Sequence, residues 1–374
     1  MGRRTTLKDV AREAGVTAAT VSYVINDPPG QSISAETRRR VMDAVGKLHY
    51  APNAHARTLR SKSSPCVGVV ITKNLAVPRF SQTVYGLQSR LSRDGYSVLL
   101  LEDAPTPAGY GAYVNAYLAG RVEGIVFLGK DNVGPDERSV QVLAEEKAPF
   151  VVFDCQSKGS THSSVDLDYE GGAQLVAERV LESRPRHVLY FRPDMDNAQE
   201  ELRERGVQEA CEAAGVELIV RRAPITQGNL DTWDARYSVG DTEEGLELTD
   251  RFLECVCEAL DPLEDGDAVI SSWATWTHYF RKATPNRQLT YAELANNGES
   301  WIASNFYTRM PNFEAGVTCA EEILSLMRGG VACARNIRLS NIVEATMPAK
   351  TSNASQPTPS GMDKEMMHNA ARSA

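Results

Sequence analysis

From Cys66 onward, short runs rich in β-branched and aromatic residues recur at 67–72, 96–101, 124–128, 150–154, 187–191, 217–221 and 268–272, separated by helix-length segments. Neighbouring strands joined by a helix must lie parallel, because a parallel pair needs a crossover connection. The alternation therefore predicts parallel sheets covered by helices on both faces, an α/β body. Ligands in such sheets bind beyond the carboxyl ends of the strands, so the residues that follow each run are the ones to weigh as binding groups. The chain has 374 residues, more than one compact domain holds, and two or three domains are expected.

The first 65 residues do not share this pattern. Thr6 and Asp9 have capping-box spacing, and Leu7, Val10, Ala11 and Ala14 follow at helical intervals until Gly15 ends the segment. Thr17 is placed to cap a second helix, with Val16 and Val21 as a hydrophobic staple and Val24 and Ile25 on the same side. Asn26, Asp27, Pro28 and Pro29 stop it. Ser34 caps a third helix with an apolar stripe of Val41, Ala44, Val45 and Leu48 and with Arg38, Arg39 and Arg40 in its first turns. An all-α head of three short helices is expected. Any small three-helix bundle gives this pattern, so charge has to be considered as well. Residues 1–65 hold eleven Lys or Arg against five Asp or Glu, a balance of +6, whereas the whole chain carries −9. A basic head on an acidic body suits a head that neutralises phosphates and a body that nucleic acid repels. The outward residues of the second helix, Thr17, Ala18, Ala19, Ser22 and Tyr23, are small or hydrogen-bonding, as a helix in a major groove requires.

Other function classes find little support. No apolar run is long enough to span a bilayer, and Arg3 and Arg4 lead directly into a polar helix pattern, which points to a cytoplasmic chain without a membrane partner. That also opposes a solute-binding protein for transport, which the body alone would fit. There is no phosphate-binding glycine loop, no zinc spacing and no nucleophile elbow. The six histidines form no acid–base constellation, and His49, His55 and His187 are explained by head, linker and a strand start. No enzyme, cofactor or metal is expected. Of seven cysteines, Cys255 and Cys257 are the one close pair; on a helix they point to different faces, so buried thiols are expected there.

The runs TLKDVAREAGVTAATVSYVIND and ISAETRRRVMDAVGKLHYAPNAHARTLRSK resemble the LacI/GalR family of bacterial regulators over about sixty residues. The resemblance implies a homodimer on double-stranded operator DNA, with repression the expected mode. It puts Ala18, Ala19 and Tyr23 at base-reading positions, and Thr6, Thr17, Thr20, Ser22 and Asn26 among the backbone contacts. The family most often has Arg where this chain has Tyr23, so its operator sequences do not carry over. By composition, residues 51–65 read as a plain linker. The resemblance makes them a hinge helix that folds on DNA, with Asn53, Ala56 and Leu59 on one face, Leu59 wedging into the minor groove, and Arg57 and Arg60 on phosphates.

The body also resembles that family, through VGVVITKN, GYSVLLLED, RVEGIVFLG, FVVFDC, Arg203 to Gly206 and Pro311 to Gly316. The fold implied is a periplasmic-binding-protein-like core of two doubly wound subdomains closing on a small-molecule effector, a sugar being the usual class. The expected boundaries are 1–50 for the head, 51–65 for the hinge and 66–350 for the core. Within the core, the N-subdomain takes 66–163 and 305–330, and the C-subdomain 164–304 and 331–350. Residues 351–374 read as a disordered tail with no leucine heptad, which leaves a dimer as the default. Effector contacts are expected from Arg79, Asp154, Arg203, Ser272, Trp273 and Asn296. Two departures oppose a simple sugar site: Ser272-Trp273 stand where the family has Asn-Asp, and Leu294-Ala295-Asn296-Asn297 replace a later Asp-Asp run. Trp273 and Trp276 fit either ring stacking or core. A regulator without ligand control remains an alternative.

Overall fold

A computed structural model describes residues 6–26, 33–48, 65–129, 133–156, 161–298, 303–339 and 342–344. The expected hinge residues Asn53, Ala56, Arg57 and Leu59, and the expected tail, lie outside the described residues. The head consists of α1 (Leu7–Ala14), α2 (Ala18–Asn26) and α3 (Ala35–Lys47). The local signals for these helices are realised. Thr6 and Asp9 form a reciprocal capping box, Gly15 closes α1 in the left-handed conformation at φ 62°, and Ser34 accepts from the Thr37 amide at 3.2 Å. Val10, Val21 and Val41, one from each helix, are fully buried together.

The core begins with β1 (Cys66–Ile71), α4 (Pro78–Leu91), β2 (Ser97–Leu101), α5 (Ala112–Leu118), β3 (Gly124–Leu128), α6 (Glu137–Glu145), β4 (Phe150–Phe153) and β5 (Ser163–Asp168). It continues through α7 (Tyr169–Leu181), β6 (His187–Pro193), α8 (Ala198–Ala214), β7 (Glu217–Ala223), α9 (Leu230–Asp234), α10 (Glu243–Leu260), β8 (Ala268–Ser271) and α11 (Trp276–Ala283). β9 (Thr290–Asn296), β10 (Phe306–Arg309), α12 (Asn312–Met327), β11 (Ala334–Arg338) and β12 (Ile342–Glu344) complete it. Two six-stranded sheets result, ordered β11-β5-β4-β3-β1-β2 and β12-β10-β9-β8-β6-β7. The first is parallel throughout; in the second only the edge strand β12 runs antiparallel, to β10. Each sheet is covered on both faces, as its near-continuous apolar strands require. Leu87 and Leu91 of α4 and Cys319 and Ile323 of α12 cover one face of the first sheet, and Tyr113, Val114 and Leu143 cover the other. On the second sheet, Val176, Val180, Val207 and Ala210 oppose an aromatic side of Phe252, Trp276 and Phe280.

All seven expected runs are strands. Five further strands, β5, β9, β10, β11 and β12, were not expected, and they move the subdomain boundaries. Residues 163–168 and 334–338 belong to the first sheet, because β5 pairs with β4 and β11 pairs with β5; residues 306–309 belong to the second, because β10 pairs with β9. The chain therefore crosses between subdomains three times: after β5, between β10 and α12, and between β11 and β12. The cysteine expectation also needs correction. Cys255 and Cys257 do lie on different faces of α10, but Cys255 is half-buried and Cys257 exposed, since α10 covers its sheet with one side only. Among the described residues, no cluster of metal-ligating side chains occurs, and no helix is long and apolar enough to cross a membrane.

α4 and α12 approach so closely that their backbones touch. A Cβ on Gly316 would stand 2.0 Å from the Thr83 carbonyl oxygen, and one on Gly86 would stand 2.1 Å from that of Phe313. Neither obstacle is a flexible side-chain end, so the helices have to separate. Gly316→Val is expected to lower stability by about 3 kcal/mol, read as a lower urea midpoint, whereas Gly95→Val, at an open turn, strains only its own positive φ.

Candidate ligand cleft and nucleic-acid interface

In the head, the apolar faces of the three helices turn inward and leave one side of α2 outward. Ala19 and Thr17 are exposed, Tyr23 is 41% exposed, and Ala18, Thr20 and Ser22 are half-buried. The Thr17 hydroxyl accepts from the Thr20 amide at 3.1 Å and lies 2.9 Å from the Thr20 hydroxyl, so both hydroxyls stand at the N-terminus of α2. The positive end of a helix dipole and its free amides favour a phosphate there. Arg39 and Arg40 are exposed on α3. Lys47 pairs with Glu13 at 2.5 Å and joins α3 to α1; that hydrogen bond raises the lysine pKa.

A cleft of about 140 Å³ opens between the two sheets at the carboxyl ends of their strands. Arg79, Phe80, Arg203, Trp233, Arg236 and Trp273 are among its lining residues. Its framework is a set of buried polar groups. Asp154, 3% exposed, follows β4 with φ 59°. It accepts from Arg79, from Gln199 across the cleft, and from the Tyr169 hydroxyl at 2.9 Å. Glu200, 1% exposed, sits in the first turn of α8 and accepts from Arg203 at 2.9 Å, Ser272 at 2.6 Å and the Trp273 indole at 2.9 Å. Arg192, fully buried at the end of β6, lies 4.0 Å from the same carboxylate and also bonds Glu204. The Arg203 guanidinium stacks 4.7 Å from the Tyr169 ring, which links the two carboxylate clusters. Further polar contacts close the cleft laterally: Gln82 donates to the Asn297 carbonyl at 2.7 Å, and Asn74 donates to Ser238 at 2.9 Å.

Among the residues expected at the site, Arg79, Arg203 and Trp273 line the cleft. Asp154 and Ser272 stand behind the wall: Asp154 holds Arg79, and Ser272 bonds Arg203 and Glu200, the carboxylate that accepts from Trp273. Asn296 does not line it: strand alternation turns it inward, where it accepts from the Gly298 amide at 2.8 Å, and its neighbours Ala295 and Asn297 face the cleft instead. Trp276 is core, 2% exposed among Phe191, Trp233 and Phe252, though it also borders the cleft. Glu200, Gln199 and Tyr169 carry much of the geometry and escaped the sequence reading. Glu200 was detectable as an acid three residues before Arg203 on one helix. Thr275, a β-branched residue at φ 72°, is held there by its amide bond to Glu293 at 3.0 Å.

A family model described as bacterial regulatory proteins, lacI family, matches residues 6–53. Catabolite control protein A of Staphylococcus xylosus is 33% identical over 198 residues, 53% of this chain and 58% of that protein. The chain thus aligns with less than two thirds of that relative. The Streptococcus mutans protein of the same name is 28% identical over 260 residues, 70% of this chain and 73% of its own length. The lac repressor bound to ONPG superposes with a TM-score of 0.67 at 21% identity, covering 92% of this chain and 99% of that one. The head thus matches the lacI family model over residues 6–53, and the rest of the chain is similar to proteins of that kind. At that identity the superposition speaks for the fold, and the fold is the one expected: an all-α helix-turn-helix head on a periplasmic-binding-protein-like core.

In this core, removing one member of the Glu200 cluster leaves a charge buried without its partner. Arg203→Met is expected to cost about 3–5 kcal/mol in urea unfolding. The double variant Glu200→Gln with Arg203→Met should recover most of that loss, because no uncompensated charge remains.

Proposed function

We propose that the chain is a dimeric, non-enzymatic, cytoplasmic repressor of transcription whose grip on double-stranded operator DNA is set by a small molecule in the cleft. The observation that carries this reading is the outward face of α2, small and polar from Thr17 to Tyr23, on a basic capped head attached to an acidic core. A second helix of this kind enters the major groove with its N-terminal residues on base edges. Ala19 allows close approach, Tyr23 reaches a base or stacks on it, and Thr17 and Thr20 meet the adjacent phosphate with the helix N-terminus. Ala18 and Ser22 complete that face, Asn26 is taken with them as a backbone contact, and Thr6 starts the helix that crosses the backbone. Asn53, Ala56, Arg57 and Leu59 supply the hinge, with Leu59 unstacking the central base step of a pseudo-palindromic site.

Effector control follows from the core. A ligand that contacts Arg79 on one subdomain and Arg203 and Trp273 on the other favours one relation of the subdomains over another. A coupling of about 1–3 kcal/mol between that relation and hinge folding corresponds to a shift of roughly 5–150-fold in operator affinity. One relative, the HTH-type transcriptional repressor PurR of Mannheimia succiniciproducens, 27% identical over 214 residues, supports the repressor reading.

Selection of duplexes from fragmented genomic DNA, followed by fluorescence anisotropy, tests it. The selected duplex should bind far more tightly than random DNA, with affinity falling steeply as salt rises. Leu59→Ala should weaken the selected duplex at least tenfold and leave random DNA unchanged. Tyr23→Ala should alter which duplexes are selected. A chain that does not discriminate between duplexes would sink the proposal.

A further inference from the structure

The polar groups of the cleft are not balanced between donors and acceptors. Both buried carboxylates next to it are consumed by the protein: Glu200 by Arg203, Ser272 and Trp273, and Asp154 by Arg79, Gln199 and Tyr169. The Asn297 side-chain oxygen accepts from Asn312 at 3.0 Å, and its carbonyl accepts from Gln82. The donors are not consumed in the same way. The Nε of Arg79 and the Nε of Arg203 are buried and have no hydrogen-bond acceptor. Among the described residues, three arginines, Arg79, Arg203 and Arg236, line the cavity beside two carboxylates, Glu200 and Asp234. A sugar hydroxyl is a donor as well as an acceptor and needs an acceptor from its site. A polyol in this cleft would find the acceptors of Glu200 and Asn297 already taken.

The remaining surface is aromatic. Trp273 is half-buried and its indole nitrogen is spent on Glu200, and Phe80 and Tyr279 line the same space. The cavity volume of about 140 Å³ matches one six-membered ring, since a cavity of roughly 150 Å³ takes up benzene. Arg forks recognise carboxylates in planar, two-point fashion.

From these observations we infer that the cleft takes a monocyclic carboxylate with an apolar or aromatic ring, in preference to a neutral sugar. The inference rests on the reading of the cleft as the effector site and names the chemistry of its occupant. The carboxylate lies toward Arg203 and Arg79, and the ring lies against Trp273.

Isothermal calorimetry on the full-length protein tests it, with benzoate, phenylacetate and cyclohexanecarboxylate as probes, against benzyl alcohol, cyclohexylmethanol and glucose. At least one acid should bind at least tenfold more tightly than its neutral counterpart. Arg203→Lys, which keeps the charge beside Glu200 but loses the fork, should erase most of that preference while the melting temperature stays near the parent's. Trp273→Phe removes one donor from Glu200 and should narrow the gap between benzoate and benzyl alcohol. Equal or tighter binding of the alcohols or glucose, or no acid bound at about 10 mM, a free energy of only a few kcal/mol, would overturn the inference. Operator release separates this from the reading beneath it. If glucose releases the selected duplex, the effector site stands and the ligand class is wrong. If a benzoate-binding protein does not discriminate between duplexes, the effector reading itself is wrong.

Discussion

Burying a carboxylate as completely as Glu200 is unfavourable unless opposite charge and hydrogen bonds replace the water it loses. Arg203, Arg192, Ser272 and the Trp273 indole make that replacement, and they come from α8, the end of β6 and the segment after β8. One charge therefore registers the start of a helix against two strand ends. The arrangement extends further, because the guanidinium that satisfies Glu200 also stacks on Tyr169, whose hydroxyl bonds Asp154, which in turn holds Arg79. A continuous polar row thus runs from inside one subdomain to the rim of the other. In a low-dielectric interior such a row holds as a unit, since each bond polarises the next and any unpaired member is penalised. The cleft-facing groups are fixed by it, and Gln199, which bonds Asp154 from the opposite subdomain, is one of the contacts that relative movement must break, with Gln82–Asn297 and Asn74–Ser238.

The readability of the chain follows from how local each signal is. The head was legible almost to the residue, because caps, a hydrophobic staple and a helix stripe operate within a few positions of one another. The seven apolar strands were equally plain. The five that were missed are polar or lie at edges. β11 and β12 are edge strands, the first reading Ala-Arg-Asn-Ile-Arg, and β5 and β9 carry buried polar residues, of which Ser163 accepts from the Cys333 amide and Glu293 from Thr275 and Thr277. A strand of this kind shows no apolar run, since its partners supply the satisfaction that hydrophobic burial supplies elsewhere. The same reasoning covers Asn296. Spacing placed it at the end of a strand near the cleft, but which of 295, 296 and 297 faces inward depends on register, and register is decided by β8 and β10 on either side.

The head and the core also differ in how charge is used. In the core, Arg79, Arg192 and Arg203 pair with buried or half-buried carboxylates and serve to position. On the head, Arg39 and Arg40 stay in water, where they act over a Debye length rather than through contacts. The acidic balance of the core then confines polyanion contact to one end of the molecule, so the two ends of the chain can be read as serving different partners.

The three crossings between subdomains have a consequence for biosynthesis. The first sheet starts at Cys66, yet its edge strand ends at Arg338, and α12, which seals one face of its core, spans Asn312–Met327. An emerging chain of this kind keeps Val67, Val126 and Val151 without their cover until more than 250 residues past Cys66 have left the ribosome, roughly half a minute at ordinary elongation rates. The head, by contrast, is complete once Lys47 is free. The nascent protein therefore passes through an interval in which a finished head is tethered to an open apolar sheet, and that interval is where chaperone dependence and truncation damage should concentrate.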